Sequence, residues 1–149
     1  LEEVVMNNIV LFEPEIPQNT GNIMRTCVVT DTTLHLIKPL GFVLDDAHLK
    51  RSGVNYIDKL RYHVYENFDD FVSKNKGEYY FFTRYGHMPH TSFDYSNKSN
   101  EELYFIFGKE STGLPKEILK DHLDKCIRIP MSANVRALNL SNCCAIVIY

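Results

Sequence analysis

The sequence predicts an α/β fold in which a mainly parallel sheet is covered by helices on both faces. The 149 residues, 44% of them hydrophobic and 23% charged, have the composition of one compact domain that can bury a core. Short apolar, β-branched runs alternate with segments of helical character, as expected for a parallel sheet. Several of these runs end in polar loops rich in Gly, Asn and Ser. We therefore expect a single domain, residues 1–149, with a candidate site where its strands end.

The predicted elements are defined by local signals. Apolar runs mark the strands, prolines and charged residues end them, and side chains that can cap a helix mark the helix starts. In order, the elements are a strand at 8–12, a loop at 14–18, a helix capped by Asn19 or Thr20 and running through Val28, a strand at 34–37, a short helix at 45–51, a connection or short strand around 56–65, a helix at 67–73 capped by Asn67, a strand at 79–83, a long loop at 84–96, a strand at 102–107, a helix from Pro115 to about 121, a strand at 127–129 and a helix from about 139.

The stretch 127–145 organises the rest of the chain. Its strand stops at Pro130 and gives way to a polar loop and then to an apolar helix that starts near Asn139. Such a junction presents backbone N–H groups and a helix N-terminus at the mouth of a sheet, where α/β proteins bind nucleotide-like ligands. Asn139, Ser141 and Asn142 would serve equally well as ordinary helix caps. The junction alone leaves both interpretations open.

The net charge of −3 argues against nucleic-acid binding through a global positive field. Any RNA contact must come from a local patch. No signal peptide and no apolar run of membrane-spanning length is apparent, so we expect a cytoplasmic protein without membrane contact. We expect residues 1–5 to be either non-native or an extension, and the terminal helix to be cut short at Tyr149. Candidates for the basic patch are Lys50, Arg51, Lys59, Arg61, Arg84, Arg128 and Arg136.

Other functional motifs are missing. The 4 cysteines form no CxxC pair and have no zinc-like histidine spacing, so we expect reduced thiols. His87 and His90 share a loop with Asp94 as the one further ligand type nearby, and we expect no metal site. Leu103 and Glu110 stand where a Walker A loop requires Gly and Ser or Thr. Neither GxGxxG nor GxSxG occurs, which argues against the usual dinucleotide-binding and hydrolase motifs.

Three strand–loop–helix stretches carry a family resemblance. They read NTGNIMRT from Asn19, FGKESTGLP from Phe107 and IRIPMSANVRALNLSNCCA from Ile127. In this order they resemble motifs one, two and three of the SPOUT methyltransferases, in the SpoU-like branch that methylates ribose 2′-hydroxyls of RNA. The opening NIVLFEPEIPQNTGNI from Asn8 is similar to that of the single-domain enzymes that modify the tRNA wobble nucleotide.

The resemblance implies a deep trefoil knot in the C-terminal part, S-adenosyl-L-methionine as cofactor, tRNA as substrate and a homodimer as the active form. It assigns catalytic roles to Asn19 and Arg25 of motif one, with Arg25 as activator of the hydroxyl, and to Asn139 and Ser141 of motif three. The relatives often carry Ser or Met where Ala137 and Leu138 stand. The implied cofactor-binding residues are Phe82, Thr83, Gly108, Glu110, Gly113, Ile129, Met131, Ala137 and Leu138.

The implied reaction is 2′-O-methylation of the wobble nucleotide, cytidine or 5-modified uridine. Two alternatives stay open. The first is the same reaction on ribosomal RNA or at another tRNA position. The second is a non-catalytic RNA- or nucleotide-binding protein with this fold, against which the retention of Arg25, Glu110 and Asn139 argues. Larger relatives usually carry an additional RNA-binding domain, so a one-domain chain favours a substrate that the dimer itself recognises.

Overall fold

A computed structural model describes residues 7–44, 57–86, 88–93, 95, 101–132 and 138–149. Within these ranges the strands form one sheet in the order β3-β2-β1-β6-β4-β7-β5, and every neighbouring pair is parallel. This arrangement confirms the predicted parallel sheet. The strands are β1 (Asn7–Phe12), β2 (Thr33–Ile37), β3 (Tyr62–Tyr65), β4 (Glu78–Phe82), β5 (Met88–Pro89), β6 (Leu103–Phe107) and β7 (Cys126–Arg128).

Helices cover both faces of this sheet, as predicted. Successive side chains of a strand point to opposite faces. On β1, Ile9 therefore packs in the same cluster as Met24 and Cys144, whereas Val10 packs with Phe71 on the other side. The helices are α1 (Pro17–Val29), α2 (Phe68–Lys74), α3 (Lys116–Leu119) and α4 (Leu140–Ile148). Short 3-10 turns occupy Ile57–Lys59, His90–Ser92 and Leu123–Lys125.

Helix α1 begins before both of its predicted caps, so this boundary prediction was wrong. The helix starts at Pro17, and its N-cap residue Ile16 makes no side-chain cap. Asn19 and Thr20 are buried inside the first turns instead. Proline suits the first helical turn because its fixed φ is already helical and it has no N–H to satisfy. The missing cap is supplied from a distant loop by Glu110.

Two other elements bear on the predictions. Asn67 caps α2 as predicted, since its Oδ1 accepts a hydrogen bond from the Asp70 N–H at 2.8 Å. The predicted loop at 84–96 contains strand β5, in which Met88 pairs with Ile127 of β7. A two-residue strand that depends on such a distant partner has no local sequence signal. The predicted helix at 45–51 lies outside the described residues.

Candidate functional site

The ends of four adjacent parallel strands meet at one edge of the sheet, which we call the carboxyl edge. Phe107 at the end of β6 pairs with Leu11 of β1 and with Phe82 of β4. Phe82 in turn pairs with Ile127 of β7. The loops that follow these strands therefore lie side by side. Ligand sites of open α/β sheets form in crevices outside such an edge.

Several predicted cofactor-binding residues are brought together at the carboxyl edge. Phe82 is buried and its ring stacks on Phe107, with centroids 4.7 Å apart and an interplanar angle of 10°. Thr83 follows directly and donates its N–H to the Ile127 carbonyl at 3.0 Å. Gly108 follows the neighbouring strand β6. The ends of β4, β6 and β7 are thus in register.

The other apolar members of the predicted set follow strand β7 or precede helix α4. Ile129 is half-buried against the cluster on the α1 side, and Met131 is also half-buried. Leu138 is 38% exposed, although it is a large apolar side chain. Ala137 lies outside the described residues.

The loop after β6 closes tightly on itself. Lys109 and Gly113 exchange backbone hydrogen bonds of 3.3 and 2.9 Å. A Cβ on Gly108 would lie 2.2 Å from the carbonyl carbon of Gly113 and 2.3 Å from the nitrogen of Leu114, so only glycine fits there. Gly113 has a φ of +73°, which glycine adopts without strain. Both glycines shape the loop, and their contact with a cofactor stays a prediction.

Glu110 in this loop holds the start of α1. Its Oε2 accepts the Glu15 N–H at 2.9 Å, and its Oε1 accepts the Ile16 N–H at 3.1 Å. Because Ile16 is the N-cap of α1, the carboxylate satisfies a free helix donor and lies at the positive end of the helix dipole. Sequence reasoning assigned Glu110 to the cofactor. The structure places its carboxylate on the backbone before α1.

A reciprocal contact strengthens this junction, and sequence reasoning missed it. Glu15 Oε1 accepts hydrogen bonds from the Ser111 hydroxyl at 2.6 Å and the Ser111 N–H at 3.1 Å. These two bonds lower the pKa of Glu15. Lys109 also pairs with Glu13 at 3.4 Å. The acidic residues after β1 were a visible signal, but their partners lie far away in the chain.

Three of the predicted catalytic residues form one cluster. Asn139 is the N-cap of α4, and its Oδ1 accepts hydrogen bonds from the Ser141 N–H at 2.9 Å and from the Ser141 hydroxyl. Its Nδ2 donates to Asn19 Oδ1 at 2.9 Å. Asn19 is buried, with 7% of its surface exposed. The cluster therefore joins the first turns of α1 and α4.

The fourth predicted catalytic residue, Arg25, stands apart from this cluster. It lies eight residues after Pro17, about 12 Å along α1, more than two turns in rather than the expected one. Its side chain is exposed and forms no hydrogen bond or ion pair with the part of the chain that the structure describes. Within one chain, Arg25 therefore forms no hydrogen bond with Asn19 or Asn139.

The predicted basic patch is divided between two edges of the sheet. Arg61, just before β3, donates to Asp31 at 2.8 Å, on the edge opposite the candidate site. Arg84 and Arg128 follow or end strands at the carboxyl edge and are exposed. The parallel strand order separates residues that the sequence alone could not place. Lys50, Arg51 and Arg136 lie outside the described residues.

A second polar cluster lies in the core towards the amino edge, where β1 begins. His35 contacts the Tyr65 hydroxyl through Nδ1 and Asn8 Oδ1 through Nε2, both at 2.8 Å. An amide oxygen only accepts, so Nε2 carries the proton and Nδ1 accepts from Tyr65. Asn75 Nδ2 donates to the Tyr65 hydroxyl at 3.1 Å. Burial, assisted by the nearby His63, lowers the pKa of His35 to about 3.

The cysteines and the other possible metal ligands indicate no second site among the described residues. All 4 cysteines are free, as predicted, and burial raises the pKa of Cys27 to about 12. Among the described residues, no group of three or more His, Cys, Asp or Glu is placed to hold a metal. Within the same residues, no helix has the length and apolar character to cross a membrane.

Three features agree with the SpoU-like class that the motifs indicate. They are the parallel sheet, the hydrogen-bonded loops at its carboxyl edge, and the cluster of Asn19, Asn139 and Ser141. The chain belongs to the SpoU rRNA Methylase family, which matches residues 6–149. This membership confirms the resemblance drawn from the three motifs.

Particular relatives are similar over nearly their whole length. A protein of Geobacillus stearothermophilus named "Putative tRNA (cytidine(34)-2'-O)-methyltransferase" is 53% identical over 95% of this chain and 90% of its own. The tRNA (cytidine(34)-2'-O)-methyltransferase of Saccharophagus degradans is 44% identical over 97% of this chain and 92% of its own. A structure solved in work on the 2-OH methylation of C/U34 on tRNA has a TM-score of 0.86 and 34% identity, covering 96% of this chain and 91% of that one.

Proposed function

We propose that this chain is a single-domain, cytoplasmic, S-adenosyl-L-methionine-dependent enzyme that methylates the ribose 2′-hydroxyl of the tRNA wobble nucleotide, cytidine or 5-modified uridine. The observation that carries the proposal is the 2.9 Å bond from Asn139 to Asn19, which unites motifs one and three beside the strand ends. The names and high coverage of the relatives point to the same reaction.

The residues at the carboxyl edge fit this cofactor. Adenine needs apolar surface with a few main-chain hydrogen bonds, which is the usual composition of a cofactor site. Ile129 and Met131 follow β7 and Leu138 precedes α4, and each offers a partly accessible apolar side chain. Thr83 and Gly108 offer main-chain groups on neighbouring strands. These residues would hold the cofactor, together with Phe82, Gly113 and Ala137.

In the proposed mechanism, the chain positions the ribose hydroxyl and stabilises its developing charge. S-adenosyl-L-methionine, when bound, supplies an activated methyl group on sulfonium. Alignment of reacting groups can contribute up to about 7–11 kcal/mol. Asn19, Asn139 and Ser141 orient the ribose. The Arg25 guanidinium stays protonated and stabilises the developing alkoxide, while an RNA phosphate or water accepts the proton.

We also propose a homodimer built on α1 and α4. Arg25 is exposed on α1 and forms no hydrogen bond or ion pair with the other described residues of its own chain. The adjoining helix α4 exposes apolar Ile146, and Tyr149 after it is 84% exposed. A dimer would bring Arg25 of one protomer to the carboxyl edge of its partner. The C-terminal trefoil knot belongs to the same proposal, and its support is that β6 inserts between the earlier strands β1 and β4.

The test is methyl transfer from labelled S-adenosyl-L-methionine to total tRNA, followed by nucleoside mapping. We expect a 2′-O-methylated wobble nucleotide with the wild type and a loss of roughly 100-fold or more with Arg25→Ala, the usual scale for a lost electrostatic stabiliser. Arg25→Lys is the charge-conserving variant, which keeps the positive charge but lacks the planar guanidinium group. Transfer to ribosomal RNA or to another tRNA position would identify the alternative substrate. Intact cofactor binding without any transfer would indicate a binding protein.

Mixed dimers test whether the site is shared. Arg25→Ala and Asn139→Ala protomers, each inactive alone, are combined in one dimer with different affinity tags. If Arg25 acts across the interface, one of the two sites in the mixed dimer is intact and activity returns. Absence of recovery would place Arg25 in the site of its own chain.

A further inference from the structure

A four-residue turn after β4 carries an exposed basic and aromatic pair that the proposed chemistry does not use. The turn runs from Thr83 to Gly86 and lies at the carboxyl edge, next to the end of β7. Arg84 and Tyr85 occupy its two central positions. Tyr85 is 60% exposed, an unusual position for a large aromatic ring.

This turn is held in one conformation by backbone contacts. The Gly86 N–H donates to the Thr83 carbonyl at 3.0 Å, and the Tyr85 N–H donates to the Thr83 hydroxyl at 3.2 Å. The Thr83 N–H is bonded to Ile127 of β7. A Cβ on Gly86 would lie 2.6 Å from the Ile127 carbonyl carbon, so the turn packs directly on that strand. Arg84 and Tyr85 therefore project from a turn that is fixed against β7.

The two side chains also order each other. The Arg84 guanidinium carbon lies 4.8 Å from the centre of the Tyr85 ring, and Arg84 Nη2 donates to the Tyr85 hydroxyl at 2.6 Å. Arg84 lies over one face of the ring, and 60% of the Tyr85 surface stays exposed. No described carboxylate pairs with Arg84, in contrast to Arg61 and its partner Asp31. The pair thus combines a preordered aromatic ring with a positive charge that no carboxylate of the described residues neutralises.

We propose that Tyr85 stacks on an unpaired base of the substrate anticodon loop while Arg84 contacts the adjacent phosphate. Proteins read single-stranded RNA in this way, because every base has a face to stack and each phosphate attracts a cation. A chain with a net charge of −3 requires such local contacts. The inference rests on the proposed function, since Thr83 beside the pair belongs to the proposed cofactor site.

The absence of tryptophan from the chain allows a direct test. Tyr85→Trp introduces one fluorophore on the turn. Leu123→Trp is the matched control, because Leu123 is 64% exposed but precedes β7 at the opposite edge. Titration with an RNA anticodon stem-loop should quench the emission of Tyr85→Trp by stacking and leave that of Leu123→Trp unchanged. Equal responses of the two variants would overturn the proposal.

Kinetics separates this contact from the methyl-transfer chemistry. We expect Tyr85→Ala to raise the KM for tRNA about tenfold, while Tyr85→Phe stays near the wild type because the ring is kept. Neither substitution should change affinity for S-adenosyl-L-methionine in calorimetry. If the wild type is active and Tyr85→Ala has an unchanged KM for tRNA, the stacking role is refuted while the proposed reaction stands. Quenching at Tyr85→Trp without methyl transfer by the wild type refutes the proposed reaction and retains the RNA surface.

Discussion

The two ends of strand β1 bear polar clusters of opposite character. At the amino end, Asn8, His35 and Tyr65 are buried in the core, and His35 forms hydrogen bonds with both of the others. At the carboxyl end, Asn139 and Glu110 bind across separate loops and helix starts. From this contrast we infer that the amino cluster stabilises the sheet. The carboxyl cluster instead holds segments together around the proposed cofactor site.

The physical origin of this difference is the direction of the strands. In a parallel sheet the loops that follow the strands share an edge with the helix N-termini that they lead into. Free N–H groups at those termini attract carboxylates and amide oxygens, as Glu110 and Asn139 illustrate. This contrast between the two clusters leads to four predictions, which run from the largest expected change in stability to the smallest.

Acid should weaken the amino cluster most. The pKa of His35 is about 3 in the folded chain, against an ordinary 6.5, because the ring is buried. The unfolded chain therefore binds the extra proton first, so stability is full above pH 6.5 and is lost as the pH falls towards 3. The expected slope is about 1.4 kcal/mol per pH unit, on the order of 5 kcal/mol in total.

The measurement is the free energy of unfolding in urea between pH 7 and pH 4, for wild type, His35→Gln and His63→Gln. His63 lies beside His35 in the register but is exposed, and it is only the smaller cause of the lowered His35 pKa, after burial. Its replacement should therefore leave most of the slope. Equal slopes in the wild type and His35→Gln would show that another group is responsible.

Removal of the imidazole at neutral pH has the next largest effect. His35→Leu removes the imidazole donor to Asn8 Oδ1 and the imidazole acceptor of the Tyr65 O–H, although Asn75 still donates to the Tyr65 hydroxyl. Buried orphan groups cost roughly 1–3 kcal/mol each, so we expect a loss of about 3 kcal/mol in urea unfolding. His63→Leu, at the exposed neighbour, should change stability by less than about 0.5 kcal/mol. Comparable losses at both positions would remove the basis of the comparison.

Glu110 tests whether the carboxyl cluster acts by positioning. Glu110→Ala frees the N–H groups of Glu15 and Ile16 and should cost about 2 kcal/mol in urea unfolding. We expect methyl transfer to fall more than affinity for S-adenosyl-L-methionine measured by calorimetry, because α1 carries Asn19 and Arg25. Exposed Glu117→Ala is the control and should change neither quantity. A selective loss of cofactor affinity would instead make Glu110 a cofactor ligand.

Gly113→Ala is the smallest expected change. The new methyl group meets open space, but the φ of +73° is strained for alanine and costs about 1 kcal/mol. Gly108→Ala is the contrasting variant, because its Cβ would collide with the Gly113 backbone and displace the loop. Urea unfolding should therefore show a clearly larger loss for Gly108→Ala. An equal loss would mean that the loop adjusts freely.

Much of the fold was visible in the sequence because the signals are local. Apolar runs predicted strands that the sheet contains, and Asn67 predicted the start of α2 through one short-range bond. The cluster of Asn19, Asn139 and Ser141 was indicated by family motifs, and the structure brings it together. The start of α1 was missed because its cap, Glu110, lies 94 residues beyond Ile16.

The alternation of strands and helices, the family and the residue types of the motifs could all be predicted from the sequence, since each depends on neighbours along the chain. Long-range packing put the Glu110 carboxylate on a helix start, left Arg25 outside the hydrogen-bonded cluster of Asn139, and placed the turn of Arg84 and Tyr85 at the carboxyl edge. Those facts depend on strand order and register. They are settled when residues far apart in the chain bury their apolar surface together.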